Sequence, residues 1–231
     1  GWPCSDSPGS ARSRDGLGVE KTFIIGDIHG CRGLLEKLME RIDWDPEHHR
    51  LVFLGDYIDR GEDPRGVVEL IVELRERSTA VDCLMGNHES LFIHYLNTGD
   101  PRLFLANGGK TTLVSYGIEG YVPAAPLLPS GHLDFLRSLK LYVELEDCLV
   151  VHAGLRPGVA LENQSPEDLL WIREPFIQSE HDFGKTVVFG HTPFRDPLLL
   201  PNKIGLDTGA VYGNKLSCLE LPSREIVSVR P

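Results

Sequence analysis

Five short clusters along the chain carry side chains able to bind metal ions and move protons. They are Gly26-Asp27-Ile28-His29-Gly30, Gly55-Asp56-Tyr57-Ile58-Asp59-Arg60-Gly61, Gly86-Asn87-His88-Glu89, Val151-His152-Ala153-Gly154 and Gly190-His191-Thr192-Pro193. Each offers a carboxylate, an imidazole or a carboxamide beside glycine, which lets the chain turn sharply and approach a ligand closely. Mixed Asp, His and Asn donors suit borderline divalent ions such as Mn, Fe, Zn, Co or Ni, and not an all-oxygen calcium cage. Asp27 and His29 stand two apart, so on an extended strand end both side chains aim the same way. Asp56 can bridge two ions through its two oxygens, and Asn87, His152 and His191 then complete the second ion. Any one of Asp27, Asp56 and Asn87 could simply cap a helix or a turn. Their occurrence together, with histidines alongside, favours ligation.

These clusters need elements that bring them together. Residues 22–25, 51–54 and 80–85 read as short apolar strands, and each runs into one of the first three clusters. Behind the first two, Leu34, Leu35, Leu38, Met39 and Ile42, then Val67, Val68, Leu70, Ile71 and Leu74, recur at helical spacing; a third helix starts near Glu89. Strand, loop and helix in that order imply parallel pairing by right-handed crossovers, and ligands gather at the C-terminal ends of such strands. Residues 91–139 read as a small helical cap insertion, with helical pieces around 91–96, 102–105 and 132–139 and a Pro-rich stretch at 123–129. Strands are expected again at 141–145, 148–151, 186–189, 203–206, 216–220 and 226–229, forming a second sheet packed on the first. Residues 1–18, rich in Gly, Ser and Pro, read as a disordered tail, and 19–231 as a single catalytic domain.

Composition narrows the function. At 231 residues with a formal charge of −11, the chain can bury one substantial core but lacks the surface field of a nucleic-acid binder. Its five scattered cysteines form no C-x-x-C pair, so neither a disulfide framework nor a zinc-thiolate site is expected. Cys31, beside the first cluster, reads as a buried, inert thiol. The apolar runs are too short to span a bilayer, and a cytoplasmic protein with no membrane partner is expected. His48, His49, His94, His132 and His181 fall in polar loops or on expected exposed faces and are given no role, and Asp207 is left outside the catalytic set.

Together the clusters resemble the signature of the calcineurin-like metallophosphoesterases. Asp59-Arg60-Gly61 and the Glu after Asn87-His88 resemble the phosphoprotein phosphatase branch; Gly190-His191-Thr192-Pro193 followed by Leu206-Asp207-Thr208-Gly209-Ala210-Val211 resembles its bacterial and phage members. The resemblance runs from about Lys21 to the end. It implies an α/β fold, a four-layer αββα sandwich with two mixed β-sheets. It also implies two divalent metal ions, Mn foremost, one on Asp27, His29 and Asp56, the other on Asp56, Asn87, His152 and His191. A hydroxide shared by the two would attack phosphorus in line. His88 would protonate the leaving group, Asp59 would hold His88 in the right tautomer, and Arg60, Asn87 and Arg173 would bind the phosphate. The function implied is hydrolysis of a phosphomonoester, foremost on phosphoserine or phosphothreonine in a phosphorylated protein. Alternatives are a symmetrical dinucleoside tetraphosphatase or another small-molecule phosphatase and, from another class, a non-catalytic scaffold.

Overall fold

The structure, a computed structural model, describes residues 20–118 and 127–231. The expected tail over 1–18 and part of the Pro-rich stretch lie outside the described residues. Strand β1 (Lys21–Ile25) leads into α1 (Arg32–Arg41), β2 (His49–Phe53) into α2 (Pro64–Arg77), and β3 (Val81–Cys83) into α3 (Asn87–Thr98). Helix α2 starts on a proline, whose missing N–H is no loss in the first turn, and the Asp63 side chain caps it by accepting from Gly66 N. Three helices follow: α4 (Arg102–Ala106), α5 (Lys110–Ser115) and α6 (Ser130–Arg137). The remainder is β4 (Tyr142–Glu144), β5 (Cys148–Val151), α7 (Pro166–Trp171), α8 (Glu174–Ile177), β6 (Thr186–Phe189), β7 (Leu198–Leu200), β8 (Lys203–Gly205), β9 (Leu216–Leu221) and β10 (Glu225–Val229).

Two mixed five-stranded sheets result, ordered β10-β9-β1-β2-β3 and β4-β5-β6-β8-β7. In the first, β1, β2 and β3 run parallel and β9 returns antiparallel to β1. In the second, β5, β6 and β8 run parallel between antiparallel edges. The pleat sorts alternate side chains into separate cores. Phe23, Ile25, Leu51 and Phe53 face the helices; Ile24, Val52 and Leu54 face the other way, onto Val150, Val188 and Ile204 of the second sheet. Leu149, Val151, Val187 and Phe189 cover the far side, against Leu169 and Phe176 of α7 and α8. Helix, sheet, sheet, helix is the four-layer order, and the inner strands β1, β2, β5 and β6 carry apolar runs because both their faces are covered.

Three expectations need correction. Strands β9 and β10 belong to the first sheet, not the second, because β9 pairs with β1 through Thr22 to Ile25. Strand β7 was not expected: its three leucines lie between Pro197 and Pro201, and two of them, Leu199 and Leu200, are exposed. His49 and His132 are buried, not exposed: Asp45 N donates to Nδ1 of His49, and His132 Nδ1 meets the Tyr116 hydroxyl at 2.9 Å. Helices α4 to α6 share the core of the first helical layer through Phe104, Leu113, Phe135 and Leu136. Among the described residues, no helix is long and apolar enough to cross a membrane.

Candidate functional site

The ends of β1, β2, β3, β5 and β6 converge, and their loops are stitched together by backbone. His29 N donates to Asp56 O at 2.8 Å, and Gly190 N to His152 O at 2.7 Å. His191 N donates to Asp27 Oδ2 at 2.9 Å. Glu89, in the first turn of α3, accepts from four backbone N–H groups: Asp56, Tyr57, Ile58 and Gly86. Burial and the Asp56 carboxylate push Glu89 up to about 8, while these N–H groups oppose the shift by stabilising its ionised form. The packing is close enough that a Cβ on Gly86 would collide with Asp56, and one on Gly190 with Asp27. Six described residues other than glycine have positive φ, and His29, Asp56, Asp59, Arg60 and His191 are five of them. Such backbone costs about 1–3 kcal/mol each and persists where surrounding structure over-determines it.

All six expected metal ligands, Asp27, His29, Asp56, Asn87, His152 and His191, are buried together with His88 and Asp59. Two groups of donor atoms lie within 4.8 Å of one another, His29, Asp56 and His88 in one, Asp56, His152 and His191 in the other. Asp56 belongs to both. The first group differs from the expected set by holding His88 in place of Asp27. Asp27 spends Oδ2 on His191 N, while its Oδ1 is buried with no hydrogen-bond partner, as is Nε2 of His191.

The donor chemistry fits two cations. Nδ1 of His29 lies 2.9 Å from Ile58 O, and Nδ1 of His152 lies 2.9 Å from Leu54 O. A carbonyl only accepts, so both Nδ1 atoms carry the proton and the neutral rings present Nε2 lone pairs. Those lone pairs face oxygens: His29 Nε2 is 3.4 Å from Asp56 Oδ2, and His152 Nε2 is 3.5 Å from Asp56 Oδ1 and 3.1 Å from Asn87 Oδ1. Nδ1 of His191 is 2.9 Å from the same Asn87 Oδ1. Burial lowers His29 and His191 to about 3 and lowers His152, which keeps these rings neutral. Burial pushes Asp56 up, but the surrounding histidines, His152 foremost, outweigh it and hold the carboxyl below the usual range. Burial raises Asp27, with Asp207 and Asp56 adding to the shift. Neutral imidazoles and carboxylate oxygens aimed at one another call for positive charge between them.

His88 is set apart from the other rings. Its Nδ1 lies 2.7 Å from Asp59 Oδ2. Burial would lower its pKa, but the Asp56 and Asp59 carboxylates outweigh that and raise it. Arg60 brings Nη1 to 2.8 Å from His29 Nε2 and sets its guanidinium 5.9 Å from the centre of the Tyr212 ring. Arg173 is exposed at the start of α8, near enough to affect the charge on His152, His191 and Asp207.

The site has further neighbours. Asp207, part of a sequence motif but left outside the catalytic set, is buried beside Asp27 and Asp56, and burial raises it to about 6. Thr112 binds Asp59, and no motif pointed to it. Trp171, 39% exposed, meets the His191 ring edge-on at 5.9 Å. Tyr212 is 64% exposed beside Arg60.

The family model described as calcineurin-like phosphoesterase matches residues 21–217. The asymmetrical bis(5'-nucleosyl)-tetraphosphatase PrpE of Bacillus cereus is 28% identical over 90% of this chain and 94% of its own. A crystal structure of a chain provisionally described as a diadenosine tetraphosphatase superposes with a TM-score of 0.74 at 26% identity, covering 92% of this chain and 94% of that one. A cold-active protein-tyrosine phosphatase of a Shewanella species has a TM-score of 0.67 at 20% identity over 93% of this chain and 78% of its own, a likeness of fold.

Proposed function

We propose that this chain, which belongs to the calcineurin-like phosphoesterase family, hydrolyses dinucleoside polyphosphates. As a member of that family it is a phosphoric ester hydrolase, and the family uses a dinuclear divalent metal centre. The observation that carries the dinuclear reading is Asp56, whose two oxygens face separate sets of imidazoles. Asp27, His29 and Asp56 would hold one cation and Asp56, Asn87, His152 and His191 the other. When bound, such a pair supplies Lewis acidity toward phosphate oxygens and lowers the pKa of water.

The chain's own residues do the rest. Water's oxygen joins phosphorus as the bond from phosphorus to the leaving-group oxygen breaks, and that oxygen needs a proton. His88 is suited to give it, since the Asp56 and Asp59 carboxylates favour its cationic form. Asp59 fixes the ring by accepting a hydrogen bond from Nδ1–H, which leaves Nε2 as the donor toward the leaving group. Arg60 and Arg173 bring planar donors for the non-bridging oxygens, and Asn87 offers its amide to the same phosphate. Burial of the carboxylates and imidazoles strengthens each of these interactions.

Two findings favour a nucleotide substrate over the phosphoprotein expected from the motifs. Two relatives that cover nine-tenths of the chain at 28% and 26% identity are named for dinucleoside tetraphosphates. Exposed aromatic rings also stand at two places by the site, Tyr212 beside Arg60 and Trp171 edge-on to His191. A substrate with a base at each end of a phosphate chain has a use for both; stacking on an aromatic ring is worth about 1–3 kcal/mol per base. The test compares diadenosine tetraphosphate, a phosphoserine peptide and p-nitrophenyl phosphate with defined metals. Faster turnover of the dinucleotide is expected, and the products, ATP with AMP or two molecules of ADP, tell asymmetrical from symmetrical cleavage. Trp171→Ala or Tyr212→Ala should penalise the dinucleotide about tenfold more than p-nitrophenyl phosphate. Faster peptide turnover, with equal penalties on all substrates, would return the assignment to a protein phosphatase.

A further inference from the structure

We infer that Thr112, on helix α5, is a positioning residue of the site, acting on the reaction through Asp59 and His88. The hydroxyl of Thr112 is wholly buried and both accepts from and donates to one residue: Asp59 N reaches it at 3.0 Å, and it donates to Asp59 Oδ1 at 2.5 Å. The other oxygen, Oδ2, holds Nδ1 of His88. Thr112, Asp59 and His88 therefore form one buried chain in which each carboxylate oxygen has a single assigned partner. A carboxylate fixed at both oxygens cannot rotate about its terminal torsion, which is otherwise broad.

The backbone makes the same point independently. Asp59 and Arg60 both have left-handed φ, +70° and +67°, a conformation L side chains adopt rarely. Their N–H groups are taken by one short segment of chain: Asp59 N by the Thr112 hydroxyl, and Arg60 N by Gly108 O at 3.4 Å. Gly108 has φ +99°, and a Cβ there would come within 3.0 Å of Arg60 Cγ. The turn at 107–109 and the first half of α5 thus act as a clamp on the strained pair that carries the partner of His88 and a phosphate-facing arginine. This gives residues 107–112 a part in the site, whereas the sequence reads 91–139 only as an inserted helical piece.

The inference rests on His88 as proton donor, and the experiment separates the two. Thr112→Val keeps the shape and removes the hydroxyl; Thr112→Ser keeps the hydroxyl. Turnover is measured on phenyl phosphate, whose leaving group needs a proton, and on p-nitrophenyl phosphate, whose leaving group scarcely does. Removing a general acid costs about 10²–10⁴-fold where protonation matters. Thr112→Val is expected to lose about tenfold or more on phenyl phosphate relative to p-nitrophenyl phosphate, with bound metal unchanged by elemental analysis. Thr112→Ser should restore the ratio. In protein labelled with nitrogen-15 histidine, the Nδ1 proton of His88 should exchange faster in Thr112→Val than in Thr112→Ser. If Thr112→Val does not fold, Thr112→Ala is read in the same way. An unchanged substrate ratio and unchanged exchange in a folded variant would overturn the role of Thr112. An unchanged ratio in His88→Ala would instead overturn the proton donor on which it rests.

Discussion

His88 has two claims on it at the residue scale. It shares a cluster of donor atoms with His29 and Asp56, as a ligand would, yet its Nδ1 is committed to Asp59. The carboxylates on either side favour its cationic form, which cannot bind a metal. His88→Ala should therefore slow turnover about 10²–10⁴-fold while leaving the bound metal intact. Elemental analysis beside kcat checks this, and parallel loss of metal and rate would make His88 a ligand. The expected ligands were legible because each stands next to glycine, or in the case of His152 two residues before one, at the end of an apolar run, a local pattern. Thr112 was not, because it meets Asp59 across 53 residues of sequence and nothing near it marks the encounter. Asp207 was visible but ambiguous, since an Asx residue in a turn needs no further explanation.

At the scale of elements, the three strand–loop–helix units at the start could be read because covered parallel strands are short apolar runs and their helices repeat at helical spacing. The return of β9 to β1 could not, as pairing between distant strands leaves no trace in either one alone. Burial of His132 was hidden similarly: α6 is short, and only the fold brings its ring to Tyr116, just past the end of α5. That contact has a consequence for pH. Burial lowers the pKa of His132 below its ordinary value of about 6.5. Above that value His132 is neutral in both folded and unfolded chains, and its contribution to stability is complete. As pH falls below it, the unfolded chain takes up the proton first, and stability is lost until the folded-state pKa is passed. Replacing His132 with Gln keeps an acceptor for Tyr116 and removes the titration. Denaturant unfolding should show the parent losing stability faster than His132→Gln below about pH 6.5, by at most about 1.4 kcal/mol per pH unit. Parallel curves would mean that the ring is not held neutral.

Over the whole molecule, the two sheets place loops from both halves of the chain against one another. The first sheet delivers Asp27, His29, Asp56 and, through α3, Asn87 and His88; the second delivers His152 and His191. Asp56 lies where the halves meet, with one oxygen toward His29 and the other toward His152. Two cations sharing that carboxylate are the central requirement of the proposed chemistry. Anomalous diffraction from crystals grown with Mn would show it most directly. Two peaks are predicted on opposite sides of Asp56, one bounded by Asp27 and His29, the other by Asn87, His152 and His191. A single peak, or two that do not share Asp56, would contradict it.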